Sequence, residues 1–168
     1  MGNAYQLTPG KLNPIVSRHR FLSEGGDPAD VLPFFRSLGV SVPMFNLLVV
    51  GLGGFLGSIL RYLTGLLVMQ ASRQGAFPWA TVTVNVLGCL IIGLLGRWFE
   101  SADQVPSQLR LFLMVGLLGG FTTFSAFGYE TLLLLRDRHL GLALINVLAQ
   151  LTLGLAAVWT GYQLGSRS

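Results

Sequence analysis

The sequence predicts an all-α integral membrane protein with four transmembrane helices per subunit, the third of them broken. Three observations predict it. Of 168 residues, 52% are hydrophobic and only 11% charged, where a soluble domain carries about 25% charged residues; mean hydropathy is +0.63. The apolar residues gather into four runs, each able to supply the ~20 residues that cross a hydrocarbon core. Inside the third run stands a Gly-Gly pair followed by hydroxyls, which lipid does not tolerate on its own account, because exposed backbone there has no water to bond.

Helix one runs from Phe45 to Met69 and carries Gly53-x-x-x-Gly57, a surface that lets a second backbone approach. Helix two, Trp79 to Phe99, is bracketed by Trp79 and Trp98, whose amphipathic rings prefer the two headgroup levels. Helix three, Leu109 to Leu135, carries Gly116-x-x-x-Gly120 and then the stretch Gly119-Gly120-Phe121-Thr122-Thr123-Phe124-Ser125-Ala126-Phe127. Helix four runs from Leu140 to Leu164. The connections Gln70–Pro78, Glu100–Gln108 and Arg136–His139 are short, so sequential helices are expected to run antiparallel.

Residues 1–44 read differently. They mix Lys11, Arg18, His19, Arg20, Glu24, Asp27 and Asp30 with Gly and Pro and are expected to be poorly ordered, either a translated extension or a misplaced start ahead of Met44. The short patch Val31–Arg36 is amphipathic enough to lie on a membrane surface, but Pro28 and Pro33 limit any helix there. No apolar stretch with a small-residue cleavage site marks a secretory signal. The four-helix domain is expected over residues 45–168.

Charge placement bears on orientation. Both ends and the second loop share one side of the membrane, holding Arg36, Arg97, Arg110 and Arg167, while Arg73, Arg136 and Arg138 lie on the other. Either so small a bias is too coarse to read, or the chain inserts both ways and forms an antiparallel dimer with its two-fold axis in the membrane plane. The scattered basic residues predict no nucleic-acid partner.

Cysteine and histidine usage excludes much chemistry. Cys89 stands alone within helix two, His19 lies in the tail and His139 in a loop. That disfavours a disulfide framework, a thiolate metal cluster, a Ser-His intramembrane protease and a metal-dependent membrane hydrolase. No enzyme is expected.

What remains inside the membrane is a set of uncharged donors. Thr81, Asn85 and Gly88 share a face of helix two, Asn146, Gln150 and Gly154 repeat every four residues on helix four, and Ser125 adds a hydroxyl from helix three. These groups either glue helices together, at about 0.6 to 2 kcal/mol each, or replace the hydration shell of a permeating anion. Phe124 and Phe127 lie on one side of helix three; they either pack in a core or turn positive ring edges towards an anion. Arg61 and Glu130 occupy the same half of the membrane. They form either a direct or water-bridged structural pair, or Arg61 draws anions into a vestibule.

The order of these motifs resembles the Fluc (CrcB-like) fluoride channels. Gly53-Gly54-Phe55-Leu56-Gly57-Ser58-Ile59-Leu60-Arg61-Tyr62 is similar to that family's Gly-Gly-x-x-Gly-Ala-x-x-Arg-Tyr, and Thr81-Val82-Thr83-Val84-Asn85-Val86-Leu87-Gly88 to its Thr-x-x-x-Asn-x-x-Gly. The Gly119–Phe127 stretch is similar to Gly-Gly-x-Thr-Thr-Phe-Ser-Thr-Phe. The resemblance spans Phe45 to Leu164 and implies an antiparallel, dual-topology homodimer with two fluoride pathways. It further implies a structural Na+ at the dimer centre, held by the backbone carbonyls of Gly119 and Thr122 from each subunit. Phe124, Phe127, Asn85 and Ser125 match pathway positions, and Asn146 and Gln150 fall where the family places polar groups on helix four. The implied activity is passive export of cytoplasmic fluoride across the inner (plasma) membrane, which relieves fluoride toxicity.

The chain departs from the pattern at Ser58, Ala80, Ala126 and Gln150. The hydroxyl missing at Ala126 implies altered conductance or Na+ affinity with selectivity kept. Two other classes compete with a channel. A dual-topology proton-coupled exporter needs a buried carboxylate, for which Glu130 is the candidate; a non-transporting scaffold needs neither the Gly-Gly break nor Phe124 and Phe127.

Overall fold

A computed structural model describes residues 43–72, 75–102 and 105–165, so the expected N-terminal extension lies, up to residue 42, outside the described residues. The chain divides into the units Met1–Leu47 and Leu48–Ser168, and the second holds the helix packing. Among the described residues the regular structure is helical, without a strand. Helix α1 is Met44–Ala71 and α2 is Trp79–Ser101. The third span, Ser107–Arg136, is made of α3 (Ser107–Arg110), a π-helical stretch (Leu111–Leu117), α4 (Leu118–Phe121) and α5 (Phe124–Arg136). Helix α6 is Leu140–Gly165. All four spans are long and apolar enough to cross a membrane.

The surface is that of a protein solvated by lipid. Leu155 is 72% and Leu67 67% exposed, whereas Asn146 is fully buried at 0%. In water that distribution would cost heavily; in a bilayer it puts hydrocarbon against hydrocarbon and the amide inside the bundle. The chain is a multi-pass membrane protein.

Local chemistry explains where the spans stop. Helix α2 passes the expected Phe99 end because Ser101 Oγ bonds back to the carbonyls of Arg97 and Trp98, each at 3.1 Å, and Ala102 N–H donates to Trp98 O. Helix α5 ends with Arg138 in the left-handed region at φ 61°. There Arg138 N–H reaches Leu135 O at 3.1 Å and His139 N–H reaches Leu134 O at 2.8 Å. This satisfies the last carbonyls and reverses the chain within a few residues, with arginine in a place that glycine usually fills.

Sequential helices do meet antiparallel, but the tightest approaches join alternate ones in parallel. A Cβ on Gly53 would come within 2.6 Å of Phe112 O and 2.9 Å of Gly116 Cα. One on Gly120 would meet Gly54 O at 2.5 Å, and one on Gly57 would collide with Leu117 O. The contacts advance together along the two segments, so α1 and the first half of the third span run parallel, backbone on backbone. Helices α2 and α6 repeat the arrangement. Gly93 faces Val158 and Tyr162, Gly161 faces Leu90 and Leu94, and Gly165 faces Leu94 and Arg97. Without a hydrophobic drive between helices in lipid, such close approach is what allows dispersion and weak Cα–H contacts to hold them.

The third span carries two irregularities. Leu118 N–H bonds to Leu113 O, five residues back, which widens the turn. Further on, Thr122 (φ −82°, ψ 159°) and Thr123 (φ −151°, ψ 108°) are extended between α4 and α5. The widened stretch lies against α1 at Gly53 and Gly57.

Gly57→Leu is expected to overpack the α1 contact and cost about 1 to 3 kcal/mol, measured as a lower Tm of the purified protein in detergent. An unchanged Tm would show that this backbone contact does not set the helix spacing.

Candidate functional site

The extended pair Thr122-Thr123 opens onto a cleft of about 360 Å³. Its walls come from α2 (Asn85, Gly88, Cys89, Ile92), the third span (Met114, Leu118, Gly119, Thr122 to Phe124, Phe127) and α6 (Gln150, Leu151). Among the described residues no Asp, Glu, Lys, Arg or His lines it. Among the described residues no cluster of His, Cys, Asp or Glu could hold a metal ion.

The face of α2 that carries Thr81, Asn85 and Gly88 packs on the third span. Gly88 is there because a Cβ would strike Thr122 Cγ2, and its absence lets the extended segment approach. Three positions earlier, the Asn85 amide takes over the helical bonding that the break interrupts. Thr123 N–H donates to Asn85 Oδ1 at 2.8 Å, and Asn85 Nδ2 donates to Thr123 O at 3.1 Å. A primary amide has the same donor–acceptor layout as a peptide group, so one side chain satisfies the N–H that the break frees and also bonds the carbonyl of the same residue. The second Nδ2 proton goes to Gln150 Oε1 at 3.1 Å.

Helix α5 starts with Thr123 as its cap: Thr123 Oγ1 accepts from Ala126 N–H at 3.2 Å. These bonds decide the state of two carbonyls. In a continuous helix Thr123 N–H would occupy Gly119 O, and Ala126 N–H would occupy Thr122 O. Here both amides are engaged elsewhere. The two carbonyls that the resemblance points to for a cation are thereby released from helical bonding, and their residues line the cleft.

The aromatic pair sits as its spacing requires. Phe124 and Phe127 have ring centroids 5.4 Å apart at 57°, and Phe124, at 82% exposure, is the most exposed large hydrophobic side chain among the described residues. Ser125 is exposed, shares a 3.3 Å contact with Thr123 Oγ1 and does not line the cleft. Asn146 does not line it either. Fully buried, its Nδ2 donates to Thr131 Oγ1 at 2.9 Å, and that hydroxyl donates to Phe127 O at 2.8 Å, so this amide fastens α6 to α5. Gln150 does reach the cleft. Its Oε1 is held by Asn85, while its Nε2 is buried without a partner.

The direct Arg61–Glu130 pair is not found among the described residues. Glu130 Oε1 instead accepts from Thr81 Oγ1 at 2.6 Å. The register that puts Asn85 on Thr123 brings Thr81, one turn earlier, opposite Glu130. Arg61 is half-buried on α1.

Several cleft-lining positions escaped the sequence reading. Thr123 was legible as a cap, since a threonine preceding a resumed helix is a start signal; its backbone role was not. Cys89, Ile92 and Met114 line the cleft with no chemical signature of their own, as ordinary apolar wall residues.

The fold and the cleft define a class: a small four-span membrane protein with an uncharged, donor-bearing cleft at a discontinuity in its third span. The particular family follows from comparison with known proteins. Residues 48–162 match the family model described as CrcB-like protein, Camphor Resistance (CrcB), and the chain belongs to that family. It is 49% identical over 122 residues to a Thermus thermophilus protein named fluoride-specific ion channel FluC, covering 73% of this chain and 96% of the relative. Proteins of the same name from Methylobacillus flagellatus and Flavobacterium psychrophilum are 41% and 44% identical. These cover 72% and 70% of this chain, and 94% of each relative.

Asn85→Leu would leave the Thr123 N–H without a partner, an expected loss of about 1 to 3 kcal/mol. Thr123→Val removes the cap, at about 0.5 to 2 kcal/mol. Thermal unfolding in detergent checks both; an Asn85→Leu protein as stable as the parent would show that the amide does not hold the break.

Proposed function

We propose that the protein is a fluoride-selective passive channel of the plasma membrane, working as an antiparallel, dual-topology homodimer and letting toxic fluoride leave the cytoplasm. The observation that carries this reading is the uncharged cleft beside Thr122-Thr123, walled by Phe124, Phe127 and Gln150. The names of the relatives support the choice of ion.

Fluoride is small and strongly hydrated, so passage needs donors that replace water without trapping the ion. Neutral amides, hydroxyls and ring edges meet that condition, whereas a fixed positive charge in the cleft would hold the anion. Flow is passive and follows the electrochemical gradient. The discontinuity also serves two signs of charge in one place: α5 begins there with its amide end, which favours an anion, and the preceding helical turn ends there with its carbonyls.

Sodium fits the second role. The carbonyls of Gly119 and Thr122, released from helical bonding, are hard oxygen ligands of the kind a small cation takes. One subunit offers only this pair, so two copies facing each other would complete the set. When bound, the ion would hold the two breaks together. The exporter alternative loses support because Glu130, its candidate carboxylate, takes the Thr81 hydroxyl and does not line the cleft.

Liposomes reconstituted with the protein are expected to release fluoride rapidly and retain chloride, with Phe127→Ile abolishing the release. Retention of fluoride by liposomes holding well-folded dimers, or release of chloride as readily, would overturn the reading. Protein prepared throughout without sodium is expected to give a several-fold lower fluoride flux, restored on adding sodium; equal flux in both preparations would remove the cation from the model of the site.

A further inference from the structure

The turn between α5 and α6 keeps an arginine where the backbone asks for glycine. Arg138 has φ 61°, in the left-handed region, and that bend is what lets Arg138 N–H reach Leu135 O and His139 N–H reach Leu134 O. Glycine takes this conformation without the clash that a Cβ brings, so an arginine kept there points to a role for its side chain. That role is not met within the described residues. The Arg138 and His139 side chains are exposed and make no hydrogen bond or ion pair among them, and Arg136 commits only its Nε, to Asp137 Oδ1 at 3.0 Å.

The surroundings of the turn define the partner. The Thr81–Glu130 hydrogen bond sets α2 and α5 side by side, running in opposite directions. Trp79 lies two positions outward of Thr81 and Arg136 six positions outward of Glu130, so at about 1.5 Å per residue the arginine stands ~6 Å further out than the tryptophan. Trp79, 52% exposed and packed on the Phe77 ring, belongs at the headgroup level, which puts the guanidinium groups among the lipid phosphates. Beneath them the surface is apolar: Leu132, Leu135 and Leu140 are 59%, 47% and 64% exposed. A ligand that uses both parts carries a phosphate and hydrocarbon in one molecule.

We propose that the Arg136–His139 turn is a headgroup site for an anionic phospholipid, whose phosphate takes the Arg138 guanidinium and the terminal nitrogens of Arg136 while its acyl chains lie along the leucines below. A guanidinium suits the task because its planar fork gives a phosphate two parallel N–H bonds, and Asp137 leaves that end of Arg136 unoccupied. A lipid held here fixes the outer end of α5, the helix whose inner end starts at Phe124 beside the break. The site rests on the multi-pass fold and not on the channel reading.

The test uses the purified full chain in detergent, with phosphatidylglycerol, phosphatidylcholine or inorganic phosphate added at equal ionic strength. Bound lipid is counted by native mass spectrometry and stability is followed as Tm. The parent is expected to retain phosphatidylglycerol in preference to phosphatidylcholine and to gain Tm from it, with affinity about fivefold weaker for each arginine removed in Arg138→Gly and in Arg136→Gln/Arg138→Gln, the usual scale for one basic residue at an anionic surface. Arg138→Gly separates this from a folding defect, since glycine suits the turn: its Tm in phosphatidylcholine is expected to match or exceed the parent's. Equal retention of the two lipids by the parent, or a phosphatidylglycerol preference that survives in both variants, would overturn the site. So would an Arg138→Gly protein less stable than the parent in phosphatidylcholine, which would give the side chain a partner within the protein, or inorganic phosphate raising Tm as much as the lipid does.

Discussion

Everything around the cleft depends on how one residue's backbone is satisfied inside a bilayer. Thr123 leaves the helix at membrane depth, where its N–H has no helical acceptor; the Asn85 Oδ1 takes that N–H and its Nδ2 adds a bond to the Thr123 carbonyl. That single substitution of side chain for helix has two effects beyond stability. It releases Gly119 O, which Thr123 N–H would otherwise occupy, and it orients Gln150 through the remaining Nδ2 proton. A discontinuity that would be a defect becomes a place where carbonyls are presented, because the bonds that would have consumed them are made elsewhere.

The clamp works only if α2 comes close enough. Its approach is set by small residues beyond Asn85: Gly88 accommodates Thr122, and further along Gly93 and Gly161 seat α2 against α6, keeping Asn85 within reach of Gln150. On the far side, Gly53 and Gly57 of α1 support the π-helical stretch that precedes the break. The two parallel helix pairs thus meet at the cleft, one carrying the clamp and the other carrying the broken span. Lipid-facing leucines contribute solubility in the bilayer without specifying this geometry, since hydrocarbon gains nothing by exchanging lipid for another helix.

Polar residues at equal spacing turned out to have unequal duties. Thr81, Asn85 and Gln150 all lie on expected faces, yet Thr81 is taken up by Glu130, Asn85 by the backbone, and Gln150 is held through its Oε1 with its Nε2 buried and unpartnered. Asn146, one turn from Gln150 on the same stripe, is buried against Thr131 and serves as a fastening between helices. Of the two readings open for such groups, helix glue is seen at Asn146, while Gln150, one turn on, is bonded to Asn85 at the edge of the cleft.

The sequence by itself determined the four spans, whose ends fall within about two residues of the helices described, because hydrocarbon thickness and the loss of apolar residues leave little freedom. It determined the glycine surfaces and the shared side of Phe124 and Phe127, since helical period fixes which residues are neighbours on one helix. It did not determine which groups on different helices meet. Whether Glu130 faces Arg61 or Thr81, and whether Asn85 offers its protons to an ion or to Thr123, depends on register and rotation between helices. A shift of one residue turns a side chain by about 100° around its axis, so those partnerships exist only once tertiary packing has chosen one alignment.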